Sequence, residues 1–305
     1  MEENTMTFGD CPFCSRPFIF YPKSYDSFRV CPVCGGHFYV GELIKGSGVT
    51  ERELVPDLCG ESFTRDGFVV ENGVLVRYEG ASQDIKIPSG VLAIGKCAFK
   101  GNTSIKSVDI PNGALYVCKS AFEGCEGIRT LRLPDTLLAI ANNAFFGLRR
   151  LLAVNIPSSL VASGYATFQD CHNLSSLHFP MDMRYLGGSP CRYCRSLKST
   201  SVPNCVTDDM DIWLTDVTML ERLVVGKGVH SIRTTWLGFL KEIEFLEPNG
   251  WRTRRDDGND EVELDPDELK SPKRAARLFF RLSKTNTVIY RPDAKQSFDY
   301  HMIIE

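Results

Sequence analysis

The residues best suited to chemistry are four cysteines near the start of the chain, arranged as two C-x-x-C pairs. Cys11 and Cys14 belong to "CPFC", Cys31 and Cys34 belong to "CPVC", and sixteen residues separate the pairs. Two such pairs at this separation form metal-binding knuckles, and four thiolates complete a tetrahedral zinc site. Iron could occupy the same ligands, and unligated cysteines or two disulfides are the remaining alternatives. We predict structural Zn²⁺ at Cys11, Cys14, Cys31 and Cys34, with no open position for catalysis.

The cysteine pairs lie in a duplicated module. The segments "CPFCSRPFIF" and "CPVCGGHFYV" align at a shift of twenty residues, which matches Cys11 to Cys31 and Phe18 to Phe38. We expect the spacer between the pairs to form a hairpin that brings the knuckles together, and the metal to supply much of the folding free energy of so small a unit. Residues 1–44 are therefore predicted to be a zinc ribbon.

The charge and aromatic content of residues 1–44 indicates what the module binds. Five acidic residues outnumber three basic ones, which argues against affinity dominated by phosphate contacts. Nine aromatic residues are too many for so small a core. Some are expected to be exposed or to pack on a neighbour, which favours a protein partner over nucleic acid.

The largest part of the chain is organised around a proline that returns every 23 residues. The prolines are Pro88, Pro111, Pro134, Pro157, Pro180 and Pro203, and Gly226 occupies the next position. Paired apolar residues precede each one, as in Ile85/Ile87 and Val108/Ile110, and this alternation predicts a short strand with one buried face. A bulky anchor follows eleven residues after each proline, at Phe99, Phe122, Phe145, Phe168, Cys191, Leu214 and Leu237. One coil is too small to bury these side chains alone, so a stacked solenoid is predicted.

Segments such as "VLAIGKCAFKGNTSIKSVDIP" and "ALYVCKSAFEGCEGIRTLRLP" resemble the BspA-like class of bacterial leucine-rich repeats. The resemblance implies an α/β repeat fold, a right-handed leucine-rich-repeat solenoid of about seven 23-residue coils, mostly β and irregular. It also implies a strand sheet on the concave side, and a role as an adhesin at cell surfaces is common among members. This chain departs from the pattern at Pro190-Cys191, at Ser163 and at Asp209, and its last coil is about three residues short.

The outward strand positions form two rows of side chains down the stack. One row reads Lys86, Asp109, Arg132, Asn155, His178, Ser201 and Val224, and the flanking row reads Ser107, Thr130, Ala153, Ser176, Ser199 and Arg222. Small side chains beside longer polar ones make a shallow lane along which a partner segment could lie. Strands that face water are also polar without a partner, so both interpretations stay open. Lys86, Asp109, Arg132, Asn155, His178 and Ser201 are the candidate partner-binding residues.

No constellation for catalysis accompanies these rows. His178 and Asp109 share a row but are three strands apart, about 14 Å at the spacing of strands in a sheet, which is too far for a catalytic dyad. The sequence lacks a phosphate-binding glycine loop, G-x-S-x-G and H-E-x-x-H. The chain is predicted not to be an enzyme.

Composition bounds the location and the partners. The net charge of −3 provides no electrostatic footprint for nucleic acid or an anionic membrane, and no apolar run approaches the roughly 18 residues of a membrane span. The start, "MEENTMTFGDCPFC", has acids where a secretory signal has a basic region. We predict a cytoplasmic protein-interaction scaffold. A nucleic-acid-associated zinc ribbon and, by resemblance only, a surface adhesin are the alternatives.

The remaining segments complete the predicted domain organisation. Residues 45–66 contain glycines and a proline without periodicity and are predicted to be a linker. In "FVVENGVLVRY" two apolar runs flank Asn72-Gly73, a strong hairpin signal, so residues 67–80 are expected to cap the solenoid of residues 67–250. Residues 251–305 are predicted to form an α+β C-terminal cap, with a helix in "PKRAARLFFRLS" that places Ala276, Phe279, Phe280 and Leu282 on one side.

Overall fold

The computed structural model describes residues 61–71, 73–206, 217–233, 239–255, 262–282 and 287–291, and four strands within the first 40 residues. These strands form two antiparallel hairpins, β1 (Thr7–Asp10) with β2 (Pro17–Phe20), and β3 (Phe28–Val30) with β4 (His37–Tyr39). Of the two strands in the spacer, β2 pairs with β1 across the first C-x-x-C segment, and β3 pairs with β4 across the second. Within the described strands, the pairing expected between the two halves of the spacer is not observed.

One strand of each coil lies just before the repeated proline, as predicted, and these strands form the first sheet. They are β8 (Asp84–Lys86), β10 (Ser107–Asp109), β12 (Thr130–Arg132), β14 (Ala153–Val154), β16 (Ser176–Leu177), β18 (Ser199–Val202), β19 (Arg222–Val225) and β21 (Glu242–Phe245). Neighbours are parallel at a register of 23 residues, with Val108 opposite Ile85. Arg222 lies opposite Glu242, so the last coil is three residues short, as expected. The ladder is interrupted between β14 and β16, which gives two four-stranded parts.

A second parallel sheet, which the sequence analysis did not predict, runs along another side of the same coils. Its strands are β9 (Ala93–Ile94), β11 (Tyr116–Val117), β13 (Ala139–Ile140), β15 (Ala162–Ser163) and β17 (Tyr185–Leu186). Each has only two residues, and in the first four strands both side chains are buried. The first four coils therefore present alternating side chains on the first sheet and buried pairs on the second.

The predicted apolar columns form one continuous core. Phe99, Phe122, Phe145 and Phe168 stack in sequence, with ring centroids 4.8, 5.5 and 5.1 Å apart. Cys191 continues the column and is buried, whereas the anchors Leu214 and Leu237 lie outside the described residues. Each buried phenylalanine contributes roughly 2–3 kcal/mol through removal of apolar surface from water. Stacking of neighbouring coils therefore stabilises a unit that no coil could form alone.

The predicted hairpin covers the open end of the first coil. It consists of β6 (Phe68–Glu71) and β7 (Val74–Tyr78), and β7 continues the second sheet by pairing in parallel with β9. An additional strand, β5 (Phe63–Arg65), lies within the segment predicted as linker and pairs with β6. The side chain of Tyr78 packs between Phe68 and Phe99, which joins the hairpin to the phenylalanine column.

The C-terminal elements lie against the last strand of the first sheet. Helix α1 (Pro266–Leu269) precedes α2 (Pro272–Leu282), the helix that the sequence predicted. The buried face of α2 contains Ala276 and Phe279 as expected, but Phe280 is 50% exposed, because Ala275 and Leu278 complete that face instead. Phe279 packs on Phe245 of β21, which also contacts Trp251. A four-stranded antiparallel sheet joins β20 (Ser231–Arg233), β24 (Thr287–Tyr290), β22 (Arg252–Arg255) and β23 (Val262–Glu263).

Candidate functional site

The lane predicted from the outward strand positions is present on the first sheet, with one exception. Lys86, Arg132, Asn155 and His178 are exposed and Asp109 is half-exposed. Ser201, by contrast, is 6% exposed, and its Oγ donates a hydrogen bond to the Phe179 carbonyl at 3.0 Å. The prediction that Ser201 faces outward is therefore wrong, because its short hydroxyl satisfies a buried carbonyl of the preceding coil.

Side chains within the lane are held loosely to one another. The Arg132 guanidinium lies 3.8 Å from the Asp109 carboxylate, and the two side chains are 75% and 40% exposed. Such an exposed pair contributes about 0–1 kcal/mol and leaves both groups able to exchange partners. In the flanking row, Ser107 donates to Asp84 at 2.6 Å and Ser199 bonds to His178 Nε2 at 2.8 Å. Polar groups are thus presented along the lane without being locked in strong internal pairs.

His178 lies at the centre of the lane and stays uncharged near neutral pH. Partial burial of the ring, followed in importance by the positive charge of Arg222, lowers the pKa of His178 below its ordinary value of 6.5. Asn155 occupies the preceding coil. This part of the lane therefore offers neutral hydrogen-bonding groups between charged residues at Arg132 and Arg222.

An open cavity of about 270 Å³ lies where the first sheet meets helix α2. It is lined by Arg222, Leu223, Val224, Glu242, Glu244, Ser271, Pro272 and Lys273. Arg222 Nε is 3.0 Å from Glu242 Oε2, so the two charges in the floor neutralise each other. Sequence reasoning missed this cavity because it depends on how α2 docks beside β21, which no periodicity encodes.

The described residues contain no cluster of three or more histidine, cysteine or acidic side chains that could hold a metal. Nor does a described helix have the length and apolar character needed to cross a bilayer. His172 Nε2 lies 3.4 Å from Asp170 Oδ1 on a coil turn, next to the buried Cys171.

The buried cysteines in the repeats act as hydrogen-bond donors. Cys125, Cys171 and Cys194 share one column, and each thiol faces the carbonyl of the residue 26 positions earlier, at 2.9, 3.4 and 3.1 Å. Burial raises the pKa of Cys125 to about 12, which keeps its thiol protonated. All three cysteines of this column are free and buried.

The four predicted metal ligands, Cys11, Cys14, Cys31 and Cys34, lie outside the described residues, but the strands around them are placed. Asp10 pairs with Pro17 on either side of the first C-x-x-C segment, and Val30 pairs with His37 on either side of the second. The two pairings are related by the same shift of twenty residues as the cysteines. In the sequence, each C-x-x-C pair therefore lies between the two strands of an antiparallel hairpin.

Comparison with known proteins identifies the repeat. Residues 92–212 match the BspA type leucine rich repeat region in six copies. A leucine-rich repeat protein of T. pallidum is 24% identical, with a TM-score of 0.48 over 56% of this chain and 84% of that protein. One from Bacteroides ovatus is 21% identical, with a TM-score of 0.47 over 63% and 52%. A leucine rich cell surface protein from Faecalibacterium prausnitzii is 17% identical, with a TM-score of 0.36 over 60% and 67%.

The search of curated proteins finds no match. The family match covers the lane residues from Asp109 to Ser201 and leaves Lys86, Val224 and the cysteine pairs of the first 44 residues outside it. The similarity to repeats of the BspA type therefore concerns residues 92–212.

Proposed function

We propose that this chain is a non-enzymatic interaction scaffold that binds a protein or peptide along the lane of the first sheet. The observation that carries the proposal is the difference in exposure between the two sheets. In the first four coils, the strands β8, β10, β12 and β14 of the first sheet leave alternate side chains exposed or half-exposed, whereas the strands β9, β11, β13 and β15 of the second sheet bury both of theirs. Within these four coils, the first sheet thus offers strand side chains to a partner and the second sheet does not.

The chemistry of the lane suits a polypeptide. Its exposed groups combine cations, a carboxylate, an amide and a neutral imidazole, which together can bond to backbone and side-chain groups of an extended segment. The flanking row is small at Ser107, Ala153 and Ser176, so a segment could approach the sheet closely.

An affinity pull-down from the source cell tests this proposal. The variant Arg132→Ala/Asn155→Ala/His178→Ala removes exposed side chains of the lane without altering the core, and we expect it to lose a partner that the wild-type chain captures. A matched control, Asn112→Ala/Asp135→Ala/Ser158→Ala, truncates exposed residues of the turns after three repeated prolines. Equal recovery by the lane variant and the wild type would refute the lane.

We also propose that Cys11, Cys14, Cys31 and Cys34 hold one structural Zn²⁺, in a ribbon of residues 1–44 that adds a second contact surface. The repeated strand pairing around both C-x-x-C segments and the chemistry of four thiolates support this. Elemental analysis of the purified chain should give about one zinc per molecule, and Cys11→Ser/Cys31→Ser should abolish it. Cys97→Ser, at an exposed cysteine of the repeats, is the control. Iron, or no metal with four reactive thiols, would contradict the zinc proposal.

The proposal also includes the C-terminal end of the solenoid and the cellular location of the chain. We infer that residues 251–305 form the C-terminal cap, because Trp251 and Phe279 cover Phe245 of the last first-sheet strand. A cytoplasmic location is supported by Cys125, Cys171 and Cys194, whose hydrogen bonds require the reduced thiol.

A further inference from the structure

Two rows of side chains border the first sheet on the side where its strands begin, and we call them the leading edge. They occupy the positions one and three residues before each strand of the first sheet from β10 onward. The first row is Lys106, Arg129, Leu152, Ser175, Lys198, Glu221 and Lys241, and the second is Ser104, Gly127, Arg150, Asn173, Ser196, Met219 and Phe239. Neither row belongs to the lane.

The backbone of the first row is continuous even where the strands are not. Each residue donates its amide hydrogen to the carbonyl of the previous coil, from Arg129 to Lys106 at 2.8 Å through to Lys241 to Glu221 at 2.8 Å. The bond from Ser175 to Leu152, at 3.1 Å, spans the interruption between β14 and β16. The leading edge is therefore one regular surface with a spacing of about 4.8 Å per coil.

The leading edge is strongly cationic. It carries five cations and one carboxylate, a net charge of +4, in a chain whose net charge is −3. Glu221 is already shared by Lys241 at 2.6 Å and Lys198 at 4.0 Å. Among the described residues, Lys106, Arg129 and Arg150 have no ion pair. Three neighbouring cations thus lie exposed and uncompensated at the N-terminal half of the edge.

The same edge exposes apolar side chains. Of the six large hydrophobic residues that are exposed in the described part of the chain, three lie on it: Leu152 at 57%, Met219 at 46% and Phe239 at 65%. Leu152 is flanked by Arg129 in its row and by Arg150 two residues earlier. Met219 and Phe239 occupy equivalent positions of the last two coils, three and four coils beyond Leu152, which is about 14–19 Å away.

We propose that the leading edge binds an acidic protein segment that carries two apolar side chains, one on Leu152 and one on Met219 and Phe239. This inference rests on the proposed function, in that the solenoid binds polypeptide, and it names the class of partner and the surface. An extended segment rises about 3.3 Å per residue, so its two apolar residues should be four to six positions apart. Acidic side chains between and before them would meet Lys198, Arg129, Lys106 and Arg150.

Charge alone would also attract nucleic acid, but the apolar residues favour a peptide. Phosphates neutralise cations without covering a leucine or a phenylalanine, whereas an apolar side chain gains about 25 cal/mol per Å² of surface that it removes from water. If the partner is a peptide, its binding should therefore depend on both the cationic and the exposed apolar residues of the leading edge.

Fluorescence polarisation tests the inference on the full-length chain. The probes are fluorescein-labelled peptides of Glu and Asp with two leucines four, five or six positions apart, the same peptides with serine in place of leucine, and oligo-dT. We expect at least one leucine probe to bind with a dissociation constant below about 0.1 mM, and its serine counterpart to bind at least tenfold more weakly. Lys106→Glu/Arg129→Glu and Leu152→Ser/Phe239→Ser should each reduce affinity for that probe at least tenfold. Lys227→Glu, an exposed lysine after β19, should change it less than twofold.

The inference is overturned if no leucine probe binds, if the serine probes or oligo-dT bind as tightly, or if Lys227→Glu weakens binding as much as the edge variants. Thermal melts of every variant establish that the solenoid is folded. The lane has its own test, because loss of the cellular partner by the Arg132/Asn155/His178 variant supports the lane even when the leading edge binds no acidic probe.

Discussion

The two sheets of the solenoid are built from the same coils, yet in the first four coils only the first sheet presents strand side chains to solvent. In the first sheet, Leu131 is buried between exposed Thr130 and Arg132. In the second, Ala139 and Ile140 are both buried. Both sheets therefore bury side chains in the core, but the outward side chains of the first sheet are free to vary for recognition. Substitutions in the two sheets should therefore have opposite effects on folding and on binding.

The largest contrast is expected in stability. Ile140 is fully buried at the centre of the second sheet, so Ile140→Ala leaves a cavity between coils and should cost about 2–5 kcal/mol. Asn155→Ala, on the exposed lane, should stay within about 0.5 kcal/mol of the wild type. Urea unfolding followed by circular dichroism measures both. Similar urea midpoints for the two variants would contradict the expected difference in stability between buried second-sheet residues and exposed lane residues.

A smaller effect is expected at a buried hydroxyl pair of the second sheet. Thr167 Oγ1 donates to the Gly164 carbonyl at 2.7 Å and lies 2.9 Å from Ser163 Oγ. Thr167→Val keeps the shape but leaves Ser163 without this partner, and it should cost about 1–3 kcal/mol. Ser158→Ala, at an exposed hydroxyl, is the control and should be neutral in the same unfolding experiment. If Thr167→Val left the free energy of unfolding unchanged, loss of a buried hydroxyl in the second sheet would cost no more than loss of an exposed one.

The smallest expected effect is the pH dependence of stability that arises from His178 on the first sheet. Because the pKa of His178 is lower in the folded chain than its ordinary 6.5, the unfolded chain binds more protons between the two values. The contribution of His178 to stability is therefore complete above pH 6.5 and declines as the pH falls through the folded pKa. An NMR titration of the imidazole should show this low pKa, and Arg222→Ala should raise it. An unshifted pKa in the wild type would show that the ring is not held as described.

Much of the fold could be predicted because prolines and phenylalanines mark each coil at a constant spacing. Ile85, Val108 and Leu131 alternate with polar neighbours, and this two-residue period identifies a half-buried strand. The second sheet could not be found in this way, since pairs such as Ala93–Ile94 are too short to alternate and are buried on both residues. The second sheet is defined only by the pairing of these short strands with the equivalent strands of neighbouring coils.

The turns of the coils show a similar limit. Gly101, Gly124 and Gly147 have left-handed backbone with φ of 72–74°, which glycine adopts without steric cost. The next two coils place Asp170 and Tyr193 in the same conformation, at φ of 62° and 61°. The stack thus imposes this geometry even where the residue does not favour it. Five of the six candidate partner-binding residues lie outside the core, because strand alternation sets side-chain direction. Ser201 is buried instead, because its hydroxyl bonds to the Phe179 carbonyl, a contact that alternation does not encode.

Hydrogen–deuterium exchange, with and without the captured partner, tests the central claim most directly. If the first sheet is the recognition surface, the partner should slow amide exchange in peptides from β10 to β18 that contain lane residues, and leave the second-sheet strands β9 to β15 unchanged. Protection confined to the second sheet or to the hairpin of β6 and β7, with no change in the first-sheet strands, would contradict the account.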